Sequence, residues 1–248
     1  GMNTGTADAP ADGMNAGTSA APSPAATAAD SQRMGLGMSA TGRVGPGTDS
    51  DGNQVYSFNV VYAYAAFDGE GRITQVKVDQ LEVATPNYDG ATMPQFSGFP
   101  GQGGYALWDD KAGKVSGTTD DSDDSYLKEF AGWVSKRERG DAYKLGSDTW
   151  ANEMDAFERV FVGKTVDELE SWFDRCFSDV NGRPLTAKSD GEGDAKKYEA
   201  LSDTEKQQLA DLTSGATMSL KDSHGDILAA VRKAWDMAQG VGTTSTAQ

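Results

Sequence analysis

The residues best suited to chemistry are the seven from Asp211 to Thr217, Asp-Leu-Thr-Ser-Gly-Ala-Thr. Ser214, Gly215 and Ala216 put almost no side-chain bulk beside Thr217, so a transferring enzyme can reach the Thr217 hydroxyl and leave a large group on it. A helix is expected to begin near Ser223, and its free backbone N–H groups would favour an anionic phosphodiester at the motif. Other reactive groups are sparse. Cys176 is the only cysteine, which excludes an intrachain disulfide, a thiolate zinc site and a paired redox motif. It falls at an apolar helical position and reads as a buried structural thiol. His224 is the only histidine, so no imidazole cluster can hold a metal, and a Ser-His-Asp triad would have to form around it. Without a nucleophile elbow, a hydrolase is disfavoured.

Two further motifs fail on inspection. Gly163-Lys164-Thr165 resembles the end of a phosphate-binding loop, but Glu158 stands where that loop needs its first glycine. A turn followed by a helix cap explains these residues better. The runs Asp49 to Asn53 and Asp120 to Asp124 have calcium-like spacing only in part and lack the closing bidentate carboxylate, so they read as turns and solvated loop. No metal site and no bond-making catalytic residue is assigned.

The elements that must position Asp211 to Thr217 follow from periodicity. Val55 to Phe67 alternates, with Tyr56, Phe58, Val60, Tyr62 and Tyr64 on one face and Ser57 and Asn59 opposite, and it predicts a strand. Asp68 to Gly71 supplies a turn, and Arg72 to Val83 a second strand whose apolar phase shifts, making a hairpin at the heart of a sheet. Helices follow. Trp150 to Val162 turns Met154, Phe157, Val160 and Phe161 inward. Capping boxes at Thr165 to Glu168 and Ser202 to Glu205 open two more, and the last carries Ile227, Leu228, Val231, Ala234 and Trp235. Strands first and helices later predict an α+β fold, an antiparallel sheet built around the hairpin with helices packed on it. No internal repeat is visible.

Residues 1–40 are rich in Ala, Gly, Ser, Thr and Pro and read as a flexible tether. Residues 41–240 read as a single domain with a long loop insertion at about 85–125, and 241–248 as a tail. Gly1 ahead of Met2 reads as a cloning remnant, which implies that the natural start, with any signal peptide or anchor, was removed. The net charge of −16 repels phosphate backbones and anionic lipid, making nucleic acid and membrane surfaces poor partners. The longest apolar run, Asn59 to Phe67, is too short to span a bilayer.

The segment Asp211-x-x-Ser214-Gly215-Ala216-Thr217 is similar to the motif of the bacterial FMN-binding domain family, which includes flavin subunits of sodium-pumping quinone reductases and flavoproteins of extracellular electron transfer. Ser135 to Tyr143, followed by Trp150 and Val162 to Glu168, resembles a lineage of secreted FMN-binding-like proteins of anaerobes. The resemblance covers most of 41 to 238. It implies that Thr217 receives FMN as a phosphoester from a flavin transferase, that Asp211 is the acid the transferase recognises, and that Ser214, Gly215 and Ala216 complete the motif. The sequence departs from the family at Met218, which precedes Ser219 where a small hydroxyl residue is usual. Lys136, Arg137 and Arg139 are further candidates to meet a flavin phosphate against ordinary ion pairs. Tyr143, Trp133 and Trp150 are candidates to stack on the ring system against core packing, and His224 is a candidate donor against a solvated helix start. The resemblance thus implies an extracytoplasmic electron carrier, a cell-surface lipoprotein or secreted protein with covalent FMN. Its partners would be the transferase and a membrane redox donor, and it would touch the membrane only through the removed anchor. FMN would be absent from protein made without the transferase. The alternative is a secreted, non-catalytic binding module of the same fold that has lost the flavin.

Overall fold

The computed structural model describes residues 32–48, 54–86, 93–103, 106–109, 114–189 and 191–240. Residues 1–31 of the expected tether, the tail at 241–248 and the turn at 49–53 lie outside the described residues. The fold is α+β. Three antiparallel strands, β1 (Arg33–Thr48), β2 (Gln54–Phe67) and β3 (Ile73–Ala84), form a sheet in that order, with two short strands, β4 (Ala106–Asp109) and β5 (Lys114–Thr118), pairing apart from it. Then follow α1 (Asp123–Ala131), α2 (Lys136–Arg139), the hairpin β6 (Lys144–Leu145) and β7 (Asp148–Thr149), α3 (Trp150–Phe161), α4 (Val166–Cys176), α5 (Glu192–Glu199), α6 (Asp203–Thr213), the hairpin β8 (Lys221–Asp222) and β9 (Gly225–Asp226), and α7 (Ile227–Ala238).

The expected hairpin of β2 and β3 is present, but two boundaries move. Residues 33–40, expected in the tether, are the first half of β1, with Met38 opposite Tyr62 on β2. The reason is steric. Gly35 and Gly37 point inward, where an added Cβ would lie 1.8 Å from the Ala234 carbonyl oxygen and 1.9 Å from that of Ala230, so only glycine lets α7 rest on the β1 backbone. The expected loop at 85–125 also holds structure, namely the β4–β5 hairpin and the start of α1. Within it, the Asp120 carboxylate accepts from the Ser122 and Ser125 hydroxyls, and Ser122 caps α1, so the acidic run orders a turn.

The alternation of β2 defines its faces correctly, and the small residues are the buried ones. Val61, Ala63 and Ala65 have no exposed surface, and they meet Met154, Phe157 and Phe161 of α3, Leu169 of α4 and Val231 of α7 in one core. Both capping boxes form as expected, at Thr165 with Glu168 and Ser202 with Glu205, and a third caps α2 through Ser135 and Glu138. Gly163-Lys164-Thr165 is a turn and cap, with Gly163 at a φ of 88° and Thr165 capping α4. Cys176 is buried in the core, and burial pushes its thiol up to about 11. A thiol probe at pH 8 is expected to react at least ~100-fold more slowly with native protein than with unfolded chain. Because the thiol ionises at about 8.5 once unfolded, this site also loses stability as pH rises from about 9 to 11.

The last helix starts later than its periodicity implies. Lys221–Asp226 form the β8–β9 hairpin, and α7 begins only at Ile227. The same local unit occurs earlier. β6–β7 runs into α3 with Trp150 N–H donating to the Tyr143 carbonyl, just as Ile227 N–H donates to that of Leu220 across the same spacing. Both hairpins turn in two residues and both helices have twelve. This repeat escapes the sequence because only the backbone pattern, and few side chains, recur.

Candidate functional site

The inner face of the sheet changes character along its strands. One half is small and apolar under α7 and α3; the other carries Ser39, Asn59, Gln80 and Glu82, all buried. Of these, Ser39, Asn59 and Gln80, with Thr41 beside them, hold the β8–β9 hairpin by its carbonyls. The Ser39 hydroxyl donates to Asp226 O at 2.5 Å, Thr41 to Ser223 O at 3.3 Å, and the Asn59 amide to Ser223 O at 3.5 Å. The Gln80 amide donates to His224 O and, at 3.4 Å, to the Asn59 side-chain oxygen. Gly225 is required at this contact, since a Cβ there would sit 2.9 Å from Val61. A strand-borne polar network thus replaces hydrophobic packing and fixes an otherwise two-residue turn.

Above this floor lies a cavity of about 400 Å³ between the two hairpins. Tyr143, Leu145, Gly146 and Trp150 line it from the first unit, and Asp222, His224, Gly225 and Ile227 from the second. Thr217, Met218, Lys136 and Arg183 complete it. The Lys136 ammonium is buried beside the Glu82 carboxylate at 3.0 Å, and stands 5.3 Å from the Tyr143 ring centre and 5.8 Å from that of Trp150. Among the described residues, Arg183 makes no ion pair. It is held near the cavity by Gly182, which packs so closely on β8 that a Cβ would meet the Lys221 oxygen at 2.1 Å. His224 Nδ1 lies 3.3 Å from Asp222. Burial alone would raise the Asp222 carboxyl, but hydrogen bonds from His224 and Ser219 outweigh it and hold the carboxyl below its usual range.

The motif unwinds from the end of α6 and divides. The Ser214 hydroxyl donates to Asp211 O at 2.6 Å, and Gly215 and Ala216 N–H both donate to Leu212 O, closing the last turn. Ala216 is then buried in the core and Thr217 emerges exposed at the cavity. Asp211, Ser214 and Gly215 face a different hollow, with Arg159, Lys164 and Trp172, on the other side of the segment. The Thr217 and Met218 N–H groups both donate to one oxygen of the buried Glu153 carboxylate at 2.8 Å.

Several expectations are corrected here. No free helix N-terminus faces Thr217, because Asp226 caps α7 by accepting from Ala229 N–H. The basic cluster splits. Arg137 is bound to Asp155 and Glu158 on α3 and to the Val78 carbonyl, Arg139 lies over the Tyr143 ring at 4.1 Å, and only Lys136 reaches the cavity. Trp133 stacks on Phe130 with ring centres 4.1 Å apart, away from the cavity. His224 sits in a hairpin turn, not at a helix start. Glu153, Gln80 and Glu82 carry no local signal in sequence, since each acts through a partner more than fifty residues away, and Arg183 is placed at the cavity only by the packing of Gly182 on β8.

No family model matches the chain, and no solved structure matches it. The chain is similar to a protein named chlorophenol reductase from Desulfitobacterium hafniense, 30% identical over 228 residues. The match takes in 87% of this chain and spans 61% of that relative's length.

Proposed function

We propose that this chain is an extracytoplasmic flavoprotein electron carrier of the FMN-binding domain type, with FMN phosphoester-linked to Thr217. The observation that carries the reading is the convergence of an exposed Thr217 on one cavity with Lys136, Tyr143 and Trp150, which come from a distant stretch of the sequence. The residues fit such a group. Tyr143 offers aromatic surface at the wall, with the Trp150 ring buried in the core behind it, Arg183 offers an unpaired cation for a phosphate, and Glu153 holds the backbone of the exposed Thr217. The Thr217 and Met218 amides are committed to Glu153 and are not available to a phosphate. Bound FMN would supply the electron transfer, and the protein would orient and shield it. That a relative is named a reductase supports a redox role. The flavin would come from a transferase that recognises Asp211 on the far side of the segment, and electrons from a membrane donor.

Co-expression with a flavin transferase is expected to add one FMN, seen by intact mass and in-gel fluorescence, and Thr217→Ala to abolish it. Wild-type protein without adduct under those conditions would overturn the carrier reading and favour the flavin-free binding module.

A further inference from the structure

The outer face of the sheet presents a continuous row of exposed apolar side chains, and its occupant can be argued. Met34, Leu36, Met38 and Val44 of β1 stand beside Tyr64, Tyr62, Phe58 and Tyr56 of β2, and each is between 38% and 72% exposed. None is charged. With side chains of this size presenting ~150–250 Å² each, these exposures amount to roughly 800 Å². The largest patch on a monomer is typically about 300–600 Å², and one side of a standard stable interface is about 800 Å².

We propose that a second copy of this chain covers this face, forming a two-fold dimer with the two sheets packed outer face to outer face. Three observations select that occupant. The area equals what each partner of a stable dimer buries. The patch that β1 and β2 form is uncharged within a chain of net charge −16, with Lys77 and Asp79 of β3 only at its border, so it offers little electrostatic complement to a basic partner and is a surface on which two like-charged copies can meet. Its relief is also self-complementary. β1 places its large outer residues at 34, 36 and 38 and small ones at Ala40 and Gly42, and nothing lies within 4 Å of a Cβ built on Gly42. A two-fold axis in the plane between the sheets, crossing β1 between Met38 and Ala40, sets Met38 over Ala40 of the partner subunit and Leu36 over Gly42 of the partner subunit. At the centre of β1 large side chains then fill small sites in both directions, as an isologous interface requires, while towards the ends Met34 meets Val44 of the partner subunit and Tyr64 meets Phe58 of the partner subunit, large side chain against large.

Sedimentation equilibrium of the full chain over roughly 1–100 µM should show a monomer–dimer equilibrium that tightens from about 0.05 to 0.5 M salt, as repulsion between the acidic copies is screened. The pair Leu36→Glu and Tyr62→Glu, both at exposed positions, should weaken association by at least ~100-fold while leaving the far-ultraviolet circular dichroism and the melting profile of the monomer intact. A wild-type chain that stays monomeric at high salt overturns the proposal. So does a dimer that survives both glutamates, which would point to pairing through the β1 edge. Flavin loading does not enter these readouts, so their failure is separable from failure of the carrier reading.

Discussion

Gly37→Ala is expected to cost about 3–5 kcal/mol and to lower the melting temperature by roughly 10 °C or more. The new methyl would sit 1.9 Å from the Ala230 oxygen and 2.4 Å from the Ala234 nitrogen. Both are backbone atoms of α7, so no rotamer change relieves the clash and the helix must lift from the strand. Lifting it opens gaps beside Ala63 and Ala65, which are fully buried. Gly42→Ala is the matched control, in the same strand but with open space around its Cβ, and it should be neutral or stabilise slightly by reducing unfolded-chain freedom. Thermal melts of the two variants check this. A Gly37→Ala protein melting within about 2 °C of wild type would show that α7 does not lie on β1 as described.

Glu153→Ala carries the second large effect, about 3–5 kcal/mol, together with loss of order in the segment around Thr217. The Glu153 carboxylate is buried and accepts two backbone hydrogen bonds, each charge-assisted. Truncation leaves the Thr217 and Met218 N–H groups without a partner, and Met218 N–H lies in the interior where water cannot substitute. Glu153→Gln keeps an acceptor but puts an amide in place of the charge, so about 1–2 kcal/mol is expected. Hydrogen exchange at the Thr217 and Met218 amides is the direct measurement. It should accelerate strongly in the alanine variant and modestly in the glutamine one. If Thr217 accepts FMN, loading should fall in the same order, because the transferase needs the hydroxyl in a fixed place.

Some of this architecture is legible residue by residue. Thr165 with Glu168 and Ser202 with Glu205 are local signals, three residues apart, and each caps its helix as read. The β2 alternation and the Asp68 to Gly71 turn are equally local, and the β2–β3 hairpin follows from them. The misreadings share one cause. Gly35, Gly37 and Ser39 look like linker because small residues bury little area, yet against α7 their smallness is the packing. The β6–β7 and β8–β9 hairpins are only two residues per strand, too short for period two to register. The second persists because Ser39, Thr41, Asn59 and Gln80 hold it by its carbonyls.

Sequence by itself determined the α+β class, the helix caps and the absence of an intrachain disulfide. Tertiary structure alone decided that Lys136, Tyr143, Trp150 and Arg183 share a cavity with Thr217 while Asp211, Ser214 and Gly215 face away from it. It also decided that Glu153 anchors the motif and that the tyrosine face of β2 looks outward. The physical reason is range. Caps and turns are set by hydrogen bonds within four residues, whereas the cavity is closed by contacts such as Lys136 with Glu82 and Glu153 with Thr217, whose partners only the packed sheet and helices bring together.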